Sequence, residues 1–152
     1  MFKKILMLVC IFSFLSNCEY KPIYSNSNKA NYRIIITDLS GDKKLNKYIV
    51  ENLQRYSQKN SAEIISIKIN SKYSRKILAK NILGSTTDYQ AKAITKFEIN
   101  NNEIIEKLEV SEKFNYQKVS DNYEEKSYEQ TIKRNLASSI SQKLILRLSI
   151  VK

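Results

Sequence analysis

An α+β fold, a four-stranded mixed or antiparallel sheet with two helices packed on one face, is what the apolar pattern of this 152-residue chain predicts. Three observations carry that prediction. The β-branched run Ile34-Ile35-Ile36 and the period-two alternation over Ile64–Ile69 and Thr86–Tyr116 require strands. Apolar residues three and four apart over Asp42–Gln58, and again from Asp121 to the end, require amphipathic helices. The resulting order, β-α-β-β-β-α, is most economically satisfied by two helices covering one sheet face and leaving the other polar.

The first strand is read over Tyr32–Thr37. Ser40-Gly41-Asp42 then supplies turn and cap residues, and Leu45, Tyr48, Ile49, Leu53 and Tyr56 trace one face of the helix that follows. Ile64–Ile69 is a strand with one buried side. Lys72–Asn81, where Ile77 and Leu78 sit among cations, reads as extended with a loop toward Gly84. Over Thr86–Ile99, Tyr89, Ala91, Ala93, Thr95, Phe97 and Ile99 share one side. After Asn100-Asn101-Asn102, the residues Ile104, Leu108, Val110, Phe114 and Tyr116 resume the alternation, which predicts a long hairpin with arms of about 45 Å that need bends or bulges. The closing helix has no Gly or Pro and carries Tyr128, Ile132, Leu136, Ile140, Leu144 and Leu148 at every fourth position, widened by Ala137 and Ile145.

Ahead of the domain, Met1-Phe2-Lys3-Lys4 is a basic start to the apolar run Ile5–Leu15, which would rise only about 16 Å as a helix, too little to span a bilayer stably. Residues 1–17 read as a signal peptide. Leu15-Ser16-Asn17-Cys18 resembles the bacterial lipobox, with Asn in place of a small residue before the cysteine. That resemblance implies lipid attachment at Cys18, with Cys10 discarded and no disulfide left to the fold. Residues 18–31, rich in Ser and Asn and holding Pro22, read as the lipidated N-terminus and tether, and 32–152 as a single α+β domain.

Composition excludes much chemistry. With no His, the commonest general base and metal ligand are missing, and Ser and Thr nucleophiles lack a partner. Two glycines leave no room for a P-loop or a dinucleotide-binding turn. The carboxylates Glu103, Glu106, Glu109 and Glu112 alternate with lysines as a solvated strand face would. Glu124, Glu125 and Glu129 complement the dipole at the start of the last helix. No catalytic residue, metal site or cofactor is expected. Removal of Lys3 and Lys4 lowers the formal charge from +11 only to +9, so the basic surplus persists. Export would separate the chain from nucleic acid, so a phosphorylated lipid or an acidic protein surface is the expected polyanion. The densest basic group, Lys68 to Lys80, offers Lys68, Lys72, Arg75 and Lys76 as candidate phosphate contacts on charge density alone.

The opening Cys18-Glu19-Tyr20-Lys21-Pro22-Ile23-Tyr24 resembles the Cys-Gly-aromatic-x-Pro-Leu-Tyr start of the lipopolysaccharide-assembly lipoprotein family LptE, alphaproteobacterial type, with Glu19 in place of Gly. Thr87–Ile99, Phe114-Asn-Tyr116, Tyr123 and the Ala137–Leu144 segment follow in the family's order. The resemblance implies an outer-membrane lipoprotein, anchored through Cys18, that plugs and helps assemble an LptD β-barrel and contacts lipopolysaccharide. It implies no enzyme activity. A different periplasm-facing lipoprotein, such as an auxiliary subunit of a lipid-transport ABC system, is the alternative.

Overall fold

The computed structural model describes residues 32–101 and 104–150; the expected signal peptide, Cys18 and the tether lie outside them. The order is β1 (Tyr32–Gly41), α1 (Lys43–Tyr56), β2 (Glu63–Lys80), β3 (Thr86–Asn101), β4 (Ile104–Gln117) and α2 (Asn122–Ile150). The four strands form one sheet in chain order, with β1 parallel to β2 and the other pairs antiparallel. The sheet is therefore mixed, because α1 crosses over between two parallel neighbours.

β1 and β2 are both longer than their apolar runs. β1 continues through Asp38 to Gly41, with its register shifted between Ile36 and Asp38. β2 continues through the basic stretch to Lys80, with shifts only near its end at Ile77, Ala79 and Lys80. The β3–β4 pairing contains no bulge: it runs in unbroken register from Asp88–Gln117 to Asn101–Ile104.

Alternation decides the faces. Ile65, Ile67, Ile69 and Ser71 of β2, Ala91 to Ile99 at every second position of β3, and Val110 and Tyr116 of β4 are buried. They meet Leu45, Ile49 and Leu53 of α1 and Ile132, Leu136, Ala137, Ile140, Leu144 and Leu148 of α2 in a single core. Both helices thus share one face of the sheet. Ala137 and Ser141, both fully buried, keep α2 slim where it meets α1, and the Ser141 hydroxyl is satisfied within its own helix by donating to the Ala137 carbonyl at 2.8 Å.

The β1–α1 turn locks these layers. Gly41 has φ +90° and lies so close to β2 that a Cβ would stand 1.8 Å from the Ser71 carbonyl oxygen, which leaves glycine as the residue that fits. Asp42 caps α1 by accepting from the Leu45 amide at 2.8 Å, and its second carboxylate oxygen meets Lys133 of α2 at 3.3 Å. The Asn46 side-chain amide donates to the Ser40 carbonyl at 2.8 Å.

β1 pairs with β2 only as far as Ser71, so Lys72–Lys80 forms an outer edge and the β2–β3 hairpin overhangs the end of β1. α2 starts over this overhang, with Arg75 bonded to Glu125, and ends near the β3–β4 turn, with Arg147 bonded to Glu106. It runs antiparallel to β4 along the sheet.

Candidate functional site

The helix-free face of the sheet is not used for packing among the described residues. Its rows follow from the register. Asp38, Lys68, Glu98 and Lys107 form one row, and Ser40, Asn70, Lys96 and Glu109 the next. Opposite charges are interleaved there: Lys68 Nζ donates to Glu98 at 2.8 Å, and Lys96 lies 3.5 Å from Glu109. The Lys68 hydrogen bond and charge hold the Glu98 carboxyl below its ordinary range, and Glu98 in turn raises Lys68. These residues border a shallow hollow of about 460 Å³.

Past Gly41 the same face changes character. The rows become Lys72, Ile94 and Ser111; then Ser74, Lys92 and Lys113; then Lys76, Gln90 and Asn115. Lys92 and Lys113 stand directly opposite one another, which places their Cβ atoms about 5 Å apart. Lys72 and Lys76 flank Ser74 along β2, two residues away on either side. None of these four lysines has a carboxylate partner among the described residues. Like charges set opposite one another without a counterion oppose folding slightly and favour any anion that settles between them.

The four residues singled out by charge density therefore fall into three environments. Lys72 and Lys76 belong to the unpaired set. Lys68 shares their face but is occupied by Glu98. Arg75, of opposite parity, points to the helix side, where it donates to Glu125 at 2.6 Å, approaches Glu129 at 3.5 Å and stacks 4.3 Å from the Tyr89 ring centre. Cys18 lies outside the described residues. Lys92 and Lys113 were not singled out; their alternation was visible, but the register that puts them side by side is a long-range property.

The carboxylates also divide. Glu109 faces solvent with Lys96, as a solvated strand face would have it. Glu106 and Glu112 instead face α2 and pair with Arg147 and Lys143. Glu106, Glu109 and Glu112 are three residues apart, so a strand of period two sends Glu109 to the face opposite the other two; Glu103 lies outside the described residues.

Beneath the N-terminal half of α2 lies a layer of rings and charges. Lys133 stands 4.0 Å over Tyr73, Tyr89 and Tyr116 are 5.6 Å apart, and Tyr116 meets Tyr128 edge-on at 5.7 Å. Burial, with nearby Glu129 adding to it, pushes the Tyr73 hydroxyl well above its ordinary value; burial also raises Tyr116. The small residues Ala91 and Ala93 on β3 make room for this layer. Among the described residues, no group of three or more acidic or cysteine side chains could hold a metal ion, and no helix is long and apolar enough to cross a membrane.

No family model matches the chain, and no curated protein matches it in sequence. Among solved structures it is similar to rare lipoprotein B of Shewanella oneidensis, with a TM-score of 0.59 at 10% identity over 75% of this chain and 95% of that one. It is also similar to a proposed lipoprotein of Caulobacter crescentus CB15, with a TM-score of 0.54 at 12% identity over 82% of this chain and 92% of that one. At such identities the likeness is one of fold: residues 32–150 have a fold found in solved bacterial lipoproteins.

Proposed function

We propose that this chain is an outer-membrane lipoprotein, held by lipid on Cys18, that plugs an LptD-like β-barrel, assists its assembly and takes part in carrying lipopolysaccharide to the cell surface. Its role is binding and structural, with no reaction assigned. The observation that carries the polyanion contact is the unpaired set Lys72, Lys76, Lys92 and Lys113, where phosphate groups of a glycolipid would supply the missing counter-charge. The fold shared with bacterial lipoproteins and the Cys18 motif support the anchored location. Two or three acyl chains on one residue, at about 0.8 kcal/mol per buried methylene, would make release very slow.

The decisive experiment is capture of tagged protein from detergent-extracted membranes. A large β-barrel is expected to accompany it, and its absence would overturn the plug reading. Cys18→Ser is expected to abolish labelling by a fatty-acid analogue. Within the same proposal, K92E/K113E is expected to weaken binding of purified lipopolysaccharide while leaving barrel capture intact.

A further inference from the structure

The overhanging end of the β2–β3 hairpin is the most exposed apolar point of the described domain. Ile82 is fully exposed and Leu83 is 83% exposed, and Ile77 and Leu78, about half exposed, stand just behind them. Aliphatic residues this open are ordinarily turned inward, and here no described element lies within reach to cover them.

The turn that presents them satisfies its own backbone. The Asn81 side-chain oxygen accepts from the amides of Leu83 and Ser85 at 3.0 and 2.9 Å. The Asn81 amide donates to the Ser85 carbonyl, and the Gly84 amide, at φ +78°, donates to the Asn81 carbonyl. A tip built this way can leave water without orphaning those amides. Its charge is one-sided as well. From Ile64 to Thr87 there is no Asp or Glu, and with Lys68 and Arg75 tied to glutamates, Lys72, Lys76 and Lys80 behind the tip have no carboxylate partner among the described residues.

We infer that the Asn81–Ser85 turn is a membrane-inserting tip, in which Ile82 and Leu83 enter the acyl boundary of an anionic bilayer while Lys76 and Lys80 meet its headgroup phosphates. Exposed aliphatics with cations set one step back are what an interfacial anchor requires. A pocket of an apolar protein would match the aliphatics but would leave the lysines without counter-charge. The inference goes beyond the barrel reading and requires no barrel. Tyr32, where β1 begins, pairs with Glu63 at the far end of β2, so the tip stands about 60 Å from the point where the described chain begins. It provides a second, reversible attachment in addition to the proposed lipid on Cys18.

The chain contains no tryptophan, so a single introduced indole reports its own position. L83W, in the full chain carrying Cys18→Ser, is mixed with vesicles of phosphatidylethanolamine and phosphatidylglycerol. Its emission is expected to shift to the blue and its quenching by acrylamide to fall, whereas L146W, an exposed position on α2, is expected to change little. Adding K76Q/K80Q to L83W, or replacing the lipid with phosphatidylcholine, is expected to weaken the shift, and replacing Ile82 by Ser to weaken partitioning about tenfold. An unchanged L83W spectrum, an equal shift in L146W, or a shift indifferent to lipid charge would each overturn the inference.

Discussion

In the half of the sheet that β1 covers, the space under the helices is filled by aliphatic side chains with Phe97 and Tyr32; past Gly41 and Ser71 the same space is filled by a layer of tyrosine rings with Arg75, Lys133 and glutamates. The opposite faces differ in parallel, interleaved charges in the first half and unpaired lysines in the second. Three strands, β2, β3 and β4, run through both halves, and only β1 stops at the boundary. The lesson is that stability and recognition are laid out in sequence along the same strands: the covered half can hold the fold, which leaves the overhang free to carry charge and exposed Ile and Leu at some cost.

The contrast is sharpened first by cavity-making substitutions. Phe97→Ala in the covered half is expected to lower unfolding free energy by about 3–5 kcal/mol, read from denaturant midpoints, because the neighbours on β2, β4 and α2 cannot close the gap. Gly41→Ala, at the boundary, is expected to lose about 3 kcal/mol through the clash with Ser71 and the positive φ; a neutral result would show that the turn relaxes freely.

Alkaline titration separates the halves by another route. Burial, helped by Glu63, pushes the Tyr32 hydroxyl up to about 12, so folding keeps its proton where the unfolded chain loses it near 10. The stabilisation is complete below pH 10 and is lost as pH rises from there through about 12. Tyr73 and Tyr116 are raised in the same sense. Tyr32→Phe and Tyr73→Phe should each flatten the alkaline fall in thermal midpoint, and only the second should act through the overhang.

Smaller effects follow on the uncovered half. Arg75→Ala is expected to cost about 1–2 kcal/mol, since its ion pairs are partly solvated and its stacking on Tyr89 adds modestly. K92Q/K113Q should change stability by less than about 0.5 kcal/mol, in the favourable direction, because like charges no longer face one another. A loss above 1 kcal/mol there would mean that the lysines serve the fold, and the division between the halves would fail.

Much of this was legible in the sequence. Period-two alternation assigned Ala91 through Ile99 to one face, and the every-fourth spacing from Ile132 to Leu148 gave the buried stripe of α2. Asp42 stood in place as a cap. What escaped depended on distance along the chain. Lys92 and Lys113 are 21 residues apart and become neighbours only through hairpin register. Arg75 looked like one more surface cation, although its odd parity, shared with Ile69, Ser71 and Tyr73, sent it inward. Lys72–Lys80 was legible as extended, but its continuity with Ile64–Ile69 in one strand and its place on an outer edge beyond β1 follow only from the pairing.

The outer edge of β2 has one further consequence, for how copies of this chain meet. Lys72–Lys80 leaves backbone donors and acceptors open along one side, a template onto which another strand can zip. A second copy pairing antiparallel about Lys76 would set Lys76 against Lys76 and Lys72 against Lys80 at each end. Every lysine on that edge would then face a lysine. The spacing of four that leaves these cations without partners also keeps the edge from accepting its own kind, and so guards a crowded population of these chains against sheet-to-sheet aggregation.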